Sequence, residues 1–462
     1  MINIENRYLI YLAFSLIILG NYSCDLFKSE KKTYFNGKII KKTSNKITLL
    51  KDEYKLKESD ILNDGTFSMI IDSLKNGLYN FQLQPEFQYI LLNNGDSLSL
   101  RLNSLDFDES LVFIGKGAPK NNFLIDVFLN HEQEEEFINS NLKKKPILFK
   151  KLVDSLLLKK NNNYKTFKKQ IKLTITEKLI IANAIKLPLY TKMETYASIN
   201  RNNNDFFKTK NSFFDFRKDI NFDLKELVHF KPYLDYLIVR FSNDARIILN
   251  SKIKNDLEFN LERIKLIDRN IINTEIKSKL LRHIAYEYLL KEKKLIDIDT
   301  FLNIFNQISV DKEINAEIEE LYNNIAALQI GKKLPKLNLI DIKNRLNYLK
   351  SNNQNPIVHF FWSYEQTSHQ NAIFDRINKI LMKGKKFNFY SININDDNTQ
   401  WIQYLENINK NKNITHFRST DFNKMSKKMV LNNLNKIIIT DHQFKIVEIS
   451  DIIYLEDYIK TY

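Results

Sequence analysis

The reading turns on residues 357–369: Ile357-Val358-His359-Phe360-Phe361-Trp362, then Ser363-Tyr364-Glu365-Gln366-Thr367-Ser368-His369. The first six form an apolar run bounded by Pro356 and a polar stretch, the pattern of a buried strand. A helical pattern follows from Gln370 to Met382, then a second apolar strand from Phe387 to Ile394. Further on come a helix around Gln400 to Ile408 and a strand Lys436 to Thr440. A turn at Asp441-His442, a strand Lys445 to Ile449 and a terminal helix Leu455 to Tyr462 finish the chain. Strand–helix–strand, helix, hairpin, helix is an α/β order of elements. Gly331 and Pro335 mark where this segment begins.

Residues 33 to about 117 read differently. Short alternating runs such as Lys46–Leu50, Phe67–Ile71, Leu78–Leu83 and Ser97–Leu102 are separated by Asn63-Asp64-Gly65 and Asn94-Gly95-Asp96, where positive φ is cheap. Six or seven strands at this spacing predict a small β-sandwich. Residues 120–330 hold no glycine and repeat their apolar residues at helical spacing, which predicts seven or eight helices. Pro146, Pro188 and Pro232 are the expected breaks or kinks. The fold class expected is therefore multidomain α+β: an N-terminal β-sandwich (33–119), a central all-helical region (120–330) and a C-terminal α/β module (331–462).

The 462 residues include one cysteine, Cys24, and nine glycines. One cysteine excludes a disulfide framework, a Cys-rich zinc site and a CxxC redox pair. It follows Tyr8–Leu19, an uncharged apolar run of 12 residues, too short to span a bilayer and placed like a signal-peptide core. The net charge is +15. Its densest source, Lys143–Lys178, has 12 lysines, no glycine and little aromatic interleaving. That reads as a solvated helix face, with anionic head groups as the alternative contact and no nucleic-acid signature. The seven histidines are scattered without metal spacing, and His359 reads as a satisfied core residue. No P-loop, GxSxG or GxGxxG occurs, so no cofactor and no metal are expected.

Two resemblances organise these observations. Leu19-Gly20-Asn21-Tyr22-Ser23-Cys24 resembles the lipobox of bacterial lipoproteins, with Asn21 departing from the usual leucine. The resemblance implies a signal peptide over 1–23, acylation of Cys24, a polar tether over 24–32 and residence in the cell envelope, on its periplasmic or surface face, with the outer membrane expected. Gly331-x-x-x-Pro335-x-Leu337-x-Leu339-x-Asp341 and Ile357–Ser363 resemble the thioredoxin-like modules of the TlpA-like thiol-disulfide oxidoreductases. Asp64-Gly65-x-Phe67, Gly77-x-Tyr79, Asn94-Gly95-Asp96 and Gly115-x-Gly117-Ala118 with Asn121-Asn122 resemble the small β-domain that precedes such modules in Gram-negative lipoproteins.

On that resemblance Gln366 stands at the first cysteine of the family's CxxC and His369 at the second. Asn435 stands at the cis-proline. Thiol exchange needs a thiolate and a resolving sulfur, so the family's redox chemistry does not carry over. What remains expected is a membrane-anchored, redox-inactive module that binds an envelope protein or peptide or acts as a scaffold. Trp362, Tyr364 and Glu365 are its groove candidates beside Gln366, His369 and Asn435. The alternative is a TlpA-like enzyme with non-thiol chemistry, using the helical region or His369, or with a residual redox-related role.

Overall fold

The computed structural model describes residues 31–201, 212–249, 256–292, 294–347, 349–350, 354–384, 386–395, 397–407 and 413–461. The expected signal segment, Cys24, Ile408 and Tyr462 lie outside them. The protein is mixed α+β and divides into two compact units, Met1–Lys252 with Leu266–Leu280 and Ile253–Lys265 with Leu281–Tyr462.

The first unit opens with eight strands: β1 (Thr33–Ile40), β2 (Lys46–Lys51), β3 (Tyr54–Asp60), β4 (Thr66–Ile71), β5 (Gly77–Leu83), β6 (Glu86–Leu92), β7 (Ser97–Asn103) and β8 (Val112–Lys116). They form two sheets, β4-β1-β7-β8 and β3-β2-β5-β6, in which β1 and β7 run parallel and the other pairs antiparallel. Both sheets turn alternate side chains into one core, where Phe35 of β1 meets Phe81 of β5 at 5.8 Å. The turns carry the residues they need. Gly65 has φ +83°, and a Cβ there would strike the Ile39 carbonyl at 2.1 Å.

Two consecutive asparagines at the start of α1 (Ala118–Ser140) close the sandwich edges. Asn121 Oδ1 accepts from Leu91 N–H at 2.7 Å and its amide donates to the Leu91 carbonyl at 3.0 Å, on β6. Asn122 does the same to Phe113 of β8, at 2.8 and 2.9 Å. Each amide therefore stands in for the next strand at the open edge of a different sheet.

The rest of this unit is helical: α2 (Pro146–Gln170), α3 (Ile175–Ile199) and α4 (Lys231–Leu249). Pro146 starts α2 and Pro232 lies in the first turn of α4, where a missing N–H costs nothing. Pro188 does not break its helix, because α3 runs through it. Proline at that position leaves the Ala184 carbonyl without its helical donor. His131 Nε2 supplies one at 3.1 Å. Burial and the nearby Lys160 charge hold the His131 pKa down at about 4, so the ring is neutral near pH 7 and donates through Nε2–H. Most of the basic stretch is a solvated face, with Lys151, Lys159, Lys165, Lys168 and Lys169 exposed. Lys160 is the exception: it is buried, 2.8 Å from Glu134 Oε2.

Helices α5 (Asp256–Asn270) and α6 (Thr274–Leu289) contain the division between the units. The second unit continues through α7 (Leu295–Ile308) and α8 (Lys312–Ala327). Then come β9 (Leu339–Asp341), β10 (Leu346–Asn347), β11 (Ile357–Trp362), α9 (Thr367–Met382), β12 (Asn388–Asn393), α10 (Asn398–Asn407) and β13 (Ile414–Ser419). They are followed by α11 (Phe422–Lys428), β14 (Lys436–Thr440), β15 (Ile446–Asp451) and α12 (Leu455–Thr461). The sheet order is β10-β9-β13-β12-β11-β14-β15. β11 is an interior strand, parallel to β12 and antiparallel to β14, and every residue of it is buried. Helices α9, α10 and α12 cover one face, and α11 with the segment Leu328–Leu339 covers the other.

The His131–Pro188 arrangement makes a prediction. Replacing His131 with alanine strands a buried carbonyl and costs about 1–3 kcal/mol. In a Pro188→Ala background the restored N–H satisfies Ala184, so urea unfolding followed by circular dichroism shows the cost reduced by roughly 1 kcal/mol. An equal cost in both backgrounds contradicts the assignment. Because the folded pKa lies below the ordinary 6.5, the contribution of His131 is complete above about pH 6.5 and is lost as pH falls toward about 4.

Candidate functional site

The site candidates cluster where β11 ends and α9 begins. Trp362 closes the strand with its indole wholly buried, donating to Ser391 Oγ on β12 at 2.7 Å. Its carbonyl accepts from Ile394 N–H at 3.0 Å and from the Asn393 amide at 3.3 Å. Asn395 Oδ1 then accepts from Tyr364 N–H at 3.1 Å. Ser363 Oγ accepts from Glu365 N–H at 3.1 Å, and the Ser363 carbonyl from Gln366 N–H at 3.3 Å. The loop carrying the candidate residues is thus fastened to residues 393–395 through Trp362 and Tyr364, and turned on itself through Ser363.

These contacts correct part of the expected groove. Trp362 and Tyr364 are not groove walls. Trp362 packs edge-on against Phe374 of α9 at 5.3 Å, and Tyr364 stacks on Tyr404 of α10 at 5.2 Å, both buried. A strand buried on both faces leaves its last aromatic no open side. Glu365 and Gln366 are exposed. Gln366 is the residue that caps α9, and its side chain makes no capping bond.

His369 and Asn435 are neighbours. The imidazole is half-buried on the first turn of α9, beside Asn435, the Leu434 carbonyl and Asp451. Burial lowers its pKa below the ordinary value, and these three neighbours oppose the shift without reversing it. Neither ring nitrogen has a well-aligned hydrogen-bond partner among the described residues. A neutral imidazole also suits the positive end of a helix dipole. Asn435 passes its carbonyl to Ile452 N–H at 2.8 Å. The peptide bond before it is trans, the cis bond among the described residues being Gln84–Pro85.

One arrangement was not visible in the sequence. Ser391 Oγ lies 3.2 Å from His416 Nδ1 while accepting from Trp362, so its hydroxyl proton faces the imidazole. The three residues come from β11, β12 and β13 and converge only through strand pairing. Burial holds His416 down at about 4. A serine–histidine pair could activate a nucleophile, but Ser391 is fully buried and admits no substrate. It is a packing contact. His359, two strand positions before Phe361, is likewise interior: Nε2 meets Thr440 Oγ1 at 3.1 Å, and burial holds the ring at about 3. Beside Asn435, Lys436 is pushed down to about 8 by burial. No group of His, Cys, Asp and Glu among the described residues could hold a metal ion.

The parallel β11–β12–β13 core, the antiparallel β14–β15 hairpin and α9 opening at the end of β11 make the module thioredoxin-like. No family model matches the chain, and no curated protein matches it. Solved structures do. A thioredoxin-like protein from Bacteroides caccae is 16% identical, aligning 53% of this chain with 89% of its own at a TM-score of 0.34. The thioredoxin domain of a thiol-disulfide oxidoreductase from Bacteroides vulgatus is 19% identical, over 29% of this chain and 99% of that one, at 0.22. A domain of a possible thiol-disulfide isomerase from Cytophaga hutchinsonii is 21% identical, over 29% and 93%, at 0.24. The strand order and helix placement carry the fold assignment.

The chain has two tryptophans, so the Trp362 environment can be read optically. Ser391→Ala leaves the buried indole N–H without its acceptor and lowers stability by about 1–3 kcal/mol. Its emission maximum shifts relative to wild type, and the shift is absent when the same change is made in Trp362→Phe. A shift that persists there refutes the contact.

Proposed function

We propose that the chain is an envelope lipoprotein whose thioredoxin-like module binds an envelope protein or peptide and does not exchange thiols. The supporting observation is the pair Gln366 and His369. They occupy the exposed cap and the first turn of α9, where the family resemblance calls for two cysteines, and the only cysteine in the sequence is Cys24. Disulfide exchange passes through a mixed disulfide and requires sulfur at both steps. The binding surface on this reading is Glu365, Gln366, His369 and Asn435.

Insulin reduction in the presence of dithiothreitol tests the redox half. The wild-type protein stays at background, whereas the double variant Q366C/H369C, with a thiol at a helix N-terminus, accelerates turbidity onset. Robust wild-type turnover would end the proposal. The anchoring half rests on the lipobox-like sequence before Cys24. Labelled palmitate is incorporated into the wild-type chain in a Gram-negative host and lost in Cys24→Ala. Equal labelling of the two would remove Cys24 as the anchor.

A further inference from the structure

Helix α2 runs for 25 residues, about 37 Å, and carries two different lines of side chains along its length. Phe149, Val153, Lys160, Tyr164 and Phe167 are buried. Two positions away from these, on the opposite side of the helix, stand Ile147, Lys151, Leu158, Lys165 and Lys169, all exposed. Leu158 is 60% exposed and Ile147 48%. Just past the far end of α2, Ile175 opens α3 at 87% exposure. The outer line therefore holds aliphatic side chains in water among lysines, and nothing in its own unit covers it.

The charge on this face is unpaired. Lys143–Lys178 holds 12 lysines. Lys150 is engaged by Asp154 at 2.7 Å and Lys160 by Glu134 at 2.8 Å. The other ten are exposed, and none has an acidic partner among the described residues. Glu135 on α1 is taken by Lys192 and Asp215 by Lys218, so the acids nearby are already engaged. The segment contains no arginine, and its three aromatic rings, Phe149, Tyr164 and Phe167, are buried. Nucleic-acid surfaces draw on exposed rings and guanidinium forks, and this face presents neither. It presents aliphatic groups flanked by ammonium groups on flexible stems, the pattern of a helix that lies in the plane of a bilayer interface.

We propose that the outer face of α2 lies flat on a bilayer of anionic phospholipid. Ile147 and Leu158 enter the boundary between head groups and acyl chains, while Lys151, Lys165 and Lys169 meet the lipid phosphates around them. Negative lipid is the complement of the unpaired lysines, and each ammonium near such a surface adds to the affinity. The contact is reversible and needs no acyl chain. It belongs to the first unit, whereas Gln366 and His369 belong to the second, so it does not depend on the absence of thiol chemistry.

The full-length Cys24→Ala protein is labelled with the environment-sensitive dye NBD at Asn162→Cys, an exposed position beside the outer line. The probes are vesicles of phosphatidylcholine with and without one-third phosphatidylglycerol. NBD fluorescence rises at least threefold on the anionic vesicles and not on the neutral ones. The rise is lost as added salt shortens the Debye length from about 10 Å to about 3 Å. Combining Lys151→Glu, Lys165→Glu and Lys169→Glu, all at exposed sites, leaves the circular dichroism spectrum unchanged and weakens binding at least tenfold. Leu158→Ser weakens it at least threefold without altering the salt dependence, which a purely electrostatic contact would not show. An equal rise on neutral vesicles, no rise on either, or undiminished binding by the triple variant or by Leu158→Ser overturns the proposal. So does an equal rise with soluble polyglutamate or duplex DNA, since an acidic protein or a nucleic acid would then be the occupant. No acyl chain is attached in this assay, so its failure leaves the reading of Cys24 as an anchor standing.

Discussion

The Lys120 ammonium sits between Asp96 Oδ2 at 2.9 Å and Glu177 Oε1 at 2.8 Å, with all three side chains buried. Asp96 belongs to the turn between β6 and β7, Lys120 to the start of α1 and Glu177 to the first turn of α3. Glu177 also completes the capping box of α3, accepting from Thr174 N–H at 2.7 Å, and takes a further bond from the Asn93 amide at 2.8 Å. Burial alone would raise the Glu177 pKa, yet the Lys120 ammonium and these donors hold it below the ordinary value. Removing Lys120 leaves two buried carboxylates without a cation, which costs far more than an ion pair is worth in water. The close approach requires Gly117, where a Cβ would fall 2.8 Å from Asp96 Oδ2. Sandwich and helices in this unit are therefore fixed to one another through a charge neither can leave unpaired.

Much of the fold was legible where one physical signal dominated. β2, β5, β7, β11 and β14 announce themselves by alternation or by an unbroken apolar run. β3 was missed because Lys55, Lys57, Glu58 and Asp60 make it look like a loop. It is an edge strand, and charge is what keeps an edge from pairing with another chain. β13 was missed because His416 and Arg418 interrupt its apolar pattern, and both find interior places that only the assembled sheet provides. That Pro188 leaves its helix unbroken was hidden for the same reason: the donor that compensates for it lies 57 residues away in His131.

The site was legible to a different depth. The juxtaposition of His369 and Asn435 is not signalled by either residue type alone. The burial of Trp362 and Tyr364 did not follow, because an aromatic at a strand end reads the same whether it faces a groove or a helix. The Trp362–Ser391–His416 contact joins three strands and leaves no local trace. Val430, the left-handed residue just past α11, is harder still. A left-handed turn normally advertises itself by glycine or asparagine, and here the sequence withholds the sign while the backbone keeps the conformation.

The parallel pairing of β1 with β7 bears on the order in which the chain can take shape. β1 is first among the described strands, yet it lies inside its sheet between β4 and β7, and its β7 partners sit 63 residues ahead at Tyr34↔Ser97. It cannot be satisfied on both sides until most of the sandwich exists. The β6 and β8 edges then wait for Asn121 and Asn122, which lie beyond the last strand. High contact order of this kind slows closure. A nascent chain that has emerged only as far as β8 still presents two bare strand edges, so this first unit gains its protection against wrong pairing late, from the helix that follows it.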